Sequence, residues 1–378
     1  MSGSSSPWPD HELVVSRTGS RSGLPVIIAV HSTALGPAAG GCRIWRYPRW
    51  QDGLADALRL SAAMTAKFAA AGLDSGGGKT VVALPEGTDL TPALRREVLL
   101  DVADAVESLG GLFATAPDVG TSPVDMAVIA ERTDHVFCTP AETGGSGDSS
   151  RHTAEGVVAA LRALGTALNG TRSLRGVRLA VVGLGSVGAR VAALLAEDGA
   201  ELVLSDIDPG KRAVAEELGA MWTDPRQALT AEVDILVPAA LGGVLTEELV
   251  PELRCRAIAG PANNQLATPE VADLLHARGI AWVPDYIASA GGVIGAISLE
   301  LDKYTEDEAR QRVLGIERTV SELLTAAKSR EVTLAEVAQA MVRTRLASAR
   351  DRRPPVAPIA PVVPSAPITP VAPVTPIE

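Results

Sequence analysis

The chain is expected to fold as a two-domain α/β protein, its second domain a doubly wound sheet of the Rossmann type and its last helices returning to the first domain. Three observations lead there. The chain is 378 residues long and 46% hydrophobic, enough for two cores, yet only 3% aromatic, so Ala, Val, Leu and Ile must fill them. Short apolar runs of strand character alternate with segments of helical spacing. At mid-chain the apolar run Val177–Val182 leads straight into Gly183, Gly185 and Gly188, in G-x-G-x-x-G spacing.

The elements follow in order. Residues 1–10 are polar and Pro/Ser-rich and read as a flexible N-terminus. Leu13–Val15 and Leu24–Val30, split by Gly and Ser, read as two strands or a hairpin. Asp52 reads as the cap of a helix over 54–71, with Leu54, Leu58, Leu60 and Met64 at helical spacing and Gly72 as its stop. Thr80–Leu84 is strand-like. Thr91-Pro92 opens a helix through Leu109, Gly110-Gly111 stop it, and Leu112–Thr115 reads as a strand. These make a first α/β domain over 11–140.

Gly144–Ser150 is a polar break, and His152–Leu168 is expected to be a connecting helix. A βαβ rhythm then runs from Val177 to about Ile287, inside a second domain placed at 141–320. Residues 305–349 are helical in pattern, and 321–352 are expected to pack back on the first domain. In 353–378 proline recurs at nearly every third position, which removes amide donors and fixes φ, so a disordered or polyproline-II tail is expected.

Composition excludes several classes. The net charge is −11 with no Lys/Arg run, which argues against nucleic acid as partner. Cys42, Cys138 and Cys255 are isolated and there are only five histidines, which argues against a disulfide scaffold or a metal site. The start of the chain lacks the charged and apolar regions of a signal peptide, and no apolar stretch approaches the roughly 20 residues that span a bilayer. The expectation is a cytoplasmic protein with small-molecule ligands.

The glycine segment is the strongest motif. Its loop, Gly183-Leu184-Gly185-Ser186-Val187-Gly188, joins a buried strand to a helix, and a second strand, Glu201–Ser205, ends at Asp206. The glycines serve a tight turn, close backbone approach to a pyrophosphate and close packing of helix on strand. The helix N-terminus offers free N–H groups and partial positive charge to phosphates. Asp206 stands 18 residues after Gly188, where a carboxylate accepts from both ribose hydroxyls and repels a 2′-phosphate, so NAD is expected over NADP. Asp208 reads as a turn residue with Pro209-Gly210.

A second constellation is MTAKFAAAGLDSGGGKTVV. Lys67 lies near the end of an Ala-rich helix; Lys79 follows Gly76–Gly78 and precedes a strand. Glycines there let backbone close around a small ligand. A desolvated lysine has a lowered pKa and can serve as a base near neutral pH, while a charged one can hold a carboxylate. Asp118, in the tight segment ATAPDVGTSPVDM, is placed to exchange protons with Lys79. On spacing alone the plainer reading, solvated lysines and an aspartate in a turn, stands ahead.

Over roughly residues 11–350 the chain resembles the Glu/Leu/Phe/Val dehydrogenase family, in its leucine, valine and phenylalanine branch. The stretches that carry this are STALGPAAGGCRIW, MTAKFAAAGLDSGGGKTVV, TAPDVGT, GLGSVG, PAALGG, AGPANNQLA and VPDYIASAGGVI. GGGK with a lysine 12 residues upstream is the most specific of them. The resemblance implies that Lys67 binds the substrate carboxylate, that Lys79 is the general base activating water, and that Asp118 is its acidic partner. It implies that Gly40 and Gly41 line the site with backbone, and that Asn264 lies near substrate and nicotinamide. Ser149 and Thr153 would flank the nicotinamide end, with Ala239 and Ala240 beside the cofactor.

The implied activity is NAD-dependent oxidative deamination of a hydrophobic L-amino acid to its 2-oxo acid and ammonia, and the reverse, in a homo-oligomer that needs no metal. The family's side-chain pocket maps onto Ala39, Ala116, Val293 and Ala296. Three alanines make it roomy. A branched aliphatic substrate is favoured, phenylalanine is the near rival, and a non-catalytic NAD-binding scaffold is the alternative of another class. A glutamate dehydrogenase would need a cation in that pocket, which these four residues do not offer. Ser289 stands where the family commonly has Asn, and Gly295 and Ser298 stand where larger or acidic residues are usual.

Overall fold

The computed structural model describes residues 10–350. The flexible start expected over 1–10, except Asp10, and the Pro-rich tail expected over 353–378 lie outside the described residues.

The first domain begins with the antiparallel pair β1 (Leu13–Thr18) and β2 (Pro25–Ser32). Then come β3 (Ala38–Arg46), α1 (Trp50–Ala70), β4 (Gly76–Leu84), α2 (Pro92–Glu107), β5 (Phe113–Pro117) and α3 (Pro123–Ile129). The sheet order is β1-β2-β4-β3-β5, with β3 parallel to both β4 and β5. Helix α2 packs over a core of Val26, Ile28, Ile44, Val82 and Phe113, while Ile27, Ala29 and Val81 meet Ala57 of α1 on the opposite face.

Three local expectations change. Asp52 is not the cap of α1; the helix starts earlier, and Asp52 sits in its first turn, where its carboxylate accepts the Arg49 N–H at 3.1 Å. The span 38–46, whose paired glycines disguise its strand pattern, is strand β3, held between β4 and β5. Gly76–Gly78 are not a loop around a ligand but the start of the wholly buried β4. Side chains there have nowhere to go: a Cβ on Gly76 would lie 2.2 Å from the Ser32 carbonyl, on Gly77 2.2 Å from the Thr65 backbone nitrogen of α1, and on Gly78 2.5 Å from the Phe113 ring. The glycines bring α1 close onto the sheet, and α1 carries Lys67.

The second domain opens with α4 (Ser150–Asn169), followed by β6 (Arg178–Val182), α5 (Ser186–Glu197), β7 (Glu201–Ser205), α6 (Arg212–Glu217), β8 (Met221–Trp222) and α7 (Pro225–Leu229). It continues through β9 (Ile235–Pro238), β10 (Ala257–Ile258), α8 (Val271–Ala277), β11 (Ala281–Trp282), α9 (Asp285–Ala288) and α10 (Gly291–Glu300). The sheet is wholly parallel, in the order β11-β10-β9-β6-β7-β8. That is two βαβαβ halves diverging from β6, the doubly wound arrangement whose crevice beside the first strand binds dinucleotides.

The helical end of the chain is three helices, α11 (Glu306–Leu314), α12 (Ile316–Arg330) and α13 (Leu334–Arg350). α12 packs on α4, while α13 crosses to α1, where Arg345 Nη2 donates at 3.0 Å to both the Leu73 carbonyl and Asp74 Oδ1. One apolar core therefore runs through both parts of the molecule, from Phe68, Leu73 and Ala116 to Leu161, Ile294 and Ala338.

Candidate active site

Lys79 stands on β4, and Asp118 follows the end of β5, with β3 between them. The lysine reaches across β3 at Gly41 and places Nζ 2.9 Å from Asp118 Oδ2. A Cβ on Gly41 would sit 3.1 Å from that Nζ and 2.6 Å from Asp118 Cβ, so only glycine leaves the passage open. Arg43, two residues along the same face of β3, donates Nε to the same Oδ2 at 2.8 Å and Nη1 to Asp56 at 2.9 Å. Burial pushes the Asp118 carboxyl up, but Lys79 and Arg43 together outweigh it and hold it down at about 2.

Lys67 approaches from α1. Its Nζ donates to Ser289 Oγ at 3.0 Å and Asn263 Oδ1 at 3.3 Å, both from the second domain. Burial lowers its pKa, opposed by the charge of Asp285. Asp285, itself raised by burial, accepts the Asn264 N–H at 2.8 Å and so ties down a residue in left-handed conformation at φ 52. The loop carrying both asparagines is anchored by Gln265, fully buried between the Gly260 carbonyl at 2.8 Å and the Trp282 indole N–H at 3.0 Å.

Two cavities meet between the domains. The smaller, about 160 Å³, has a polar end of Lys67, Lys79, Asp118 and Asp285, backbone of Gly40 and Gly41, and an apolar wall of Leu60, Met64, Phe68, Phe137 and Val293. The larger, about 400 Å³, runs from Lys67 and Ala116 past Ser149 and Thr153 to Val187, Gly292 and Ala296. It ends at Val187 in the first turn of α5, where the glycine loop ends.

That loop has the form a dinucleotide needs. Gly183, at φ 109, packs so tightly that a Cβ would lie 2.7 Å from Ala240 Cβ, and a Cβ on Gly188 would lie 2.0 Å from the Gly183 carbonyl oxygen and 3.1 Å from Ala239 Cβ. A Cβ on Gly185 would meet nothing within 4 Å, which leaves the approach to the helix N-terminus clear. Asp206 Oδ2 accepts the Leu184 N–H at 2.6 Å and Oδ1 accepts the Asp208 N–H at 2.9 Å, which braces the carboxylate against the loop. Among the described residues no group of His, Cys, Asp and Glu is placed to hold a metal ion.

A profile of the Glu/Leu/Phe/Val dehydrogenase dimerisation domain matches residues 11–135, and one of the Glutamate/Leucine/Phenylalanine/Valine dehydrogenase domain matches 204–353. The chain is 39% identical over 349 residues to a leucine dehydrogenase of Geobacillus stearothermophilus, covering 92% of this chain and 93% of that protein. The chain belongs to the Glu/Leu/Phe/Val dehydrogenase family. It is also 39% identical over 345 residues to a phenylalanine dehydrogenase of Caldalkalibacillus thermarum, covering 89% and 91% of the two. The crystal structure of L-tryptophan dehydrogenase from Nostoc punctiforme superposes with a TM-score of 0.77 at 33% identity, over 90% of this chain and 97% of that one. A hetero-hexameric glutamate dehydrogenase from Thermus thermophilus, at 24% identity and TM-score 0.75, shares the fold. The protein is an NAD(P)-dependent amino-acid dehydrogenase.

In this dehydrogenase Lys67, Lys79, Asp118, Gly40, Gly41 and Asn264 gather around the smaller cavity, and Ser149, Thr153 and Val187 around the larger. Of the four expected pocket residues, Ala116 and Val293 line both cavities and Ala296 the larger. Ala39 is 3% exposed, buried between Gly77 and Ala114 on neighbouring strands, and lines neither. Sequence reasoning missed Arg43, Asn263, Asp285 and Phe137. Arg43 was legible in principle: once β3 is a strand, the period of two puts Arg43 on the face of Gly41.

Proposed function

We propose that this dehydrogenase uses NAD to oxidise a hydrophobic L-amino acid, a branched-chain aliphatic one before others, to its 2-oxo acid and ammonia, and that it runs the reverse reductive amination. The balance is amino acid, NAD⁺ and water to 2-oxo acid, ammonium, NADH and a proton. What carries the reading is a single cavity with two lysines and two aspartates at one end and an apolar wall at the other. Arg43, the further cation there, is neutralised by Asp118 and Asp56, so no free cation awaits a side-chain carboxylate among the described residues.

Lys67 holds the substrate carboxylate, exchanging Ser289 and Asn263 for it. Backbone of Gly40 and Gly41 and the apolar wall fix the rest of the molecule. Bound NAD supplies the hydride acceptor. Lys79 takes a proton from the water that attacks the imine carbon, and closure of the cleft keeps other water out. Asp118 enters ionised. When Lys79 is neutral, one of its two cations is gone and the carboxylate becomes a better proton acceptor.

Preference for NAD over NADP rests on Asp206, whose charge opposes a 2′-phosphate. Homo-oligomeric assembly is part of the proposal and is supported by the match of residues 11–135 to a dimerisation domain. Cytoplasmic residence and domain limits at 11–140, 141–320 and 321–352 belong to it as well. No helix among the described residues is long and apolar enough to cross a membrane.

Absorbance of NADH formed with each of twenty L-amino acids tests the reading. Leucine, isoleucine and valine should lead, with phenylalanine behind. Cofactor binding without turnover on any amino acid would favour the scaffold alternative instead.

A further inference from the structure

Of the three alanines expected to make the side-chain pocket roomy, Ala116 alone lines the smaller cavity. Beside it stands Phe137. It is 4% exposed and lines both cavities, together with Lys67, Ala116, Pro117, Asn263 and Val293. Among these six it is the largest apolar side chain, and it stands where the two cavities adjoin.

Its place is fixed from both sides. The Phe137 N–H donates to the Thr115 carbonyl at 3.0 Å, beside Ala116. The next residue, Cys138, is left-handed at φ 59 and donates its N–H to Glu300 Oε1 at 2.8 Å. Glu300 also takes the Ser146 N–H at 2.8 Å and belongs to α10, the helix of Val293 and Ala296. A non-glycine residue at positive φ persists only where its surroundings over-determine it. The backbone that carries the ring is thus tied to β5 and to α10 alike.

We propose that Phe137 is a specificity-determining residue: its ring shortens the side-chain pocket and partitions it from the larger cavity, so that branched aliphatic amino acids fit better than aromatic ones. The inference rests on the functional reading above. Removing the ring joins the space of about 160 Å³ to that of about 400 Å³. A pocket widened in this way favours larger side chains, whereas a loss of structural support lowers turnover of every substrate alike.

The test is kcat/KM for L-leucine, L-phenylalanine and L-tryptophan with the wild-type chain, Phe137→Ala and the milder Phe137→Leu. The phenylalanine-to-leucine ratio should rise at least tenfold in Phe137→Ala and by a smaller factor in Phe137→Leu, with KM for NAD unchanged. If Phe137→Ala does not fold, the ratio in Phe137→Leu decides. Parallel losses on all three substrates, with an active wild type, overturn the inference alone. A wild type inactive on every amino acid overturns the functional reading and this inference with it.

Discussion

Arg43 Nε stands 2.8 Å from Asp118 Oδ2, the same oxygen that meets Lys79 Nζ at 2.9 Å. Two cations on one carboxylate oxygen explain why this half-buried acid stays ionised. Asp56 balances Arg43 from behind and takes a further bond from Tyr47 Oη at 2.7 Å.

A pH signature follows. Asp118 lies at about 2 in the folded chain against an ordinary 3.8, so its contribution is present in full above pH 4 and fades as pH falls through 2. The shift is worth roughly 2 kcal/mol. Arg43→Gln returns the carboxyl toward its ordinary value. Denaturant unfolding should show the variant less stable than wild type at pH 6, with the gap closing between pH 4 and pH 2. A gap that does not change with pH would contradict the assignment.

Asp206 has two tasks. Its oxygens brace the glycine loop through the Leu184 and Asp208 N–H groups, and its charge opposes a 2′-phosphate. Asp206→Asn removes the charge and keeps one of the two acceptors, so one loop N–H loses its partner. The NADP-to-NAD ratio of kcat/KM is expected to rise at least tenfold, with a lowered melting temperature. An unchanged ratio would mean that something else excludes the phosphate.

Gly295, which the resemblance marks as a departure, packs against His152. A Cβ on Gly295 would fall 2.5 Å from His152 Cγ and Nδ1, in an interior where the histidine is 7% exposed. Overpacking of this kind costs about 1–3 kcal/mol. Gly295→Ala should therefore destabilise the wild type, and much less so in a His152→Ala background. Denaturant unfolding of the four chains gives the coupling, expected above about 1 kcal/mol. Additive effects would show that the two side chains do not compete for space.

The other departures also acquire partners: Ser289 Oγ takes Lys67 Nζ at 3.0 Å, and Ser298 Oγ takes Arg312 Nη1 at 3.1 Å.

The parts of the fold written in local periodicity were legible. The strand–glycine–helix–strand unit from β6 to β7 lies where its spacing put it, because each glycine and Asp206 acts within a few residues of its own chain. β3 was not, since Gly40 and Gly41 carry no side chain to show alternation and their reason for being glycine is a neighbouring strand and a lysine crossing above. The same holds for Gly76–Gly78. Lys67, Lys79 and Asp118 were found through family resemblance rather than spacing, and their convergence depends on the strand order β4-β3-β5. Arg43, Asn263, Asp285 and Phe137 take part through contacts far apart in sequence, which no local pattern announces.

The most direct test is steady-state NADH formation from L-leucine by the wild-type chain and Lys79→Ala, with NADH binding followed in parallel by fluorescence titration. General acid–base groups contribute about 10²–10⁴-fold in rate, so Lys79→Ala should lose that much kcat while binding NADH as the wild type does. A variant that turns over within threefold of wild type would contradict the account.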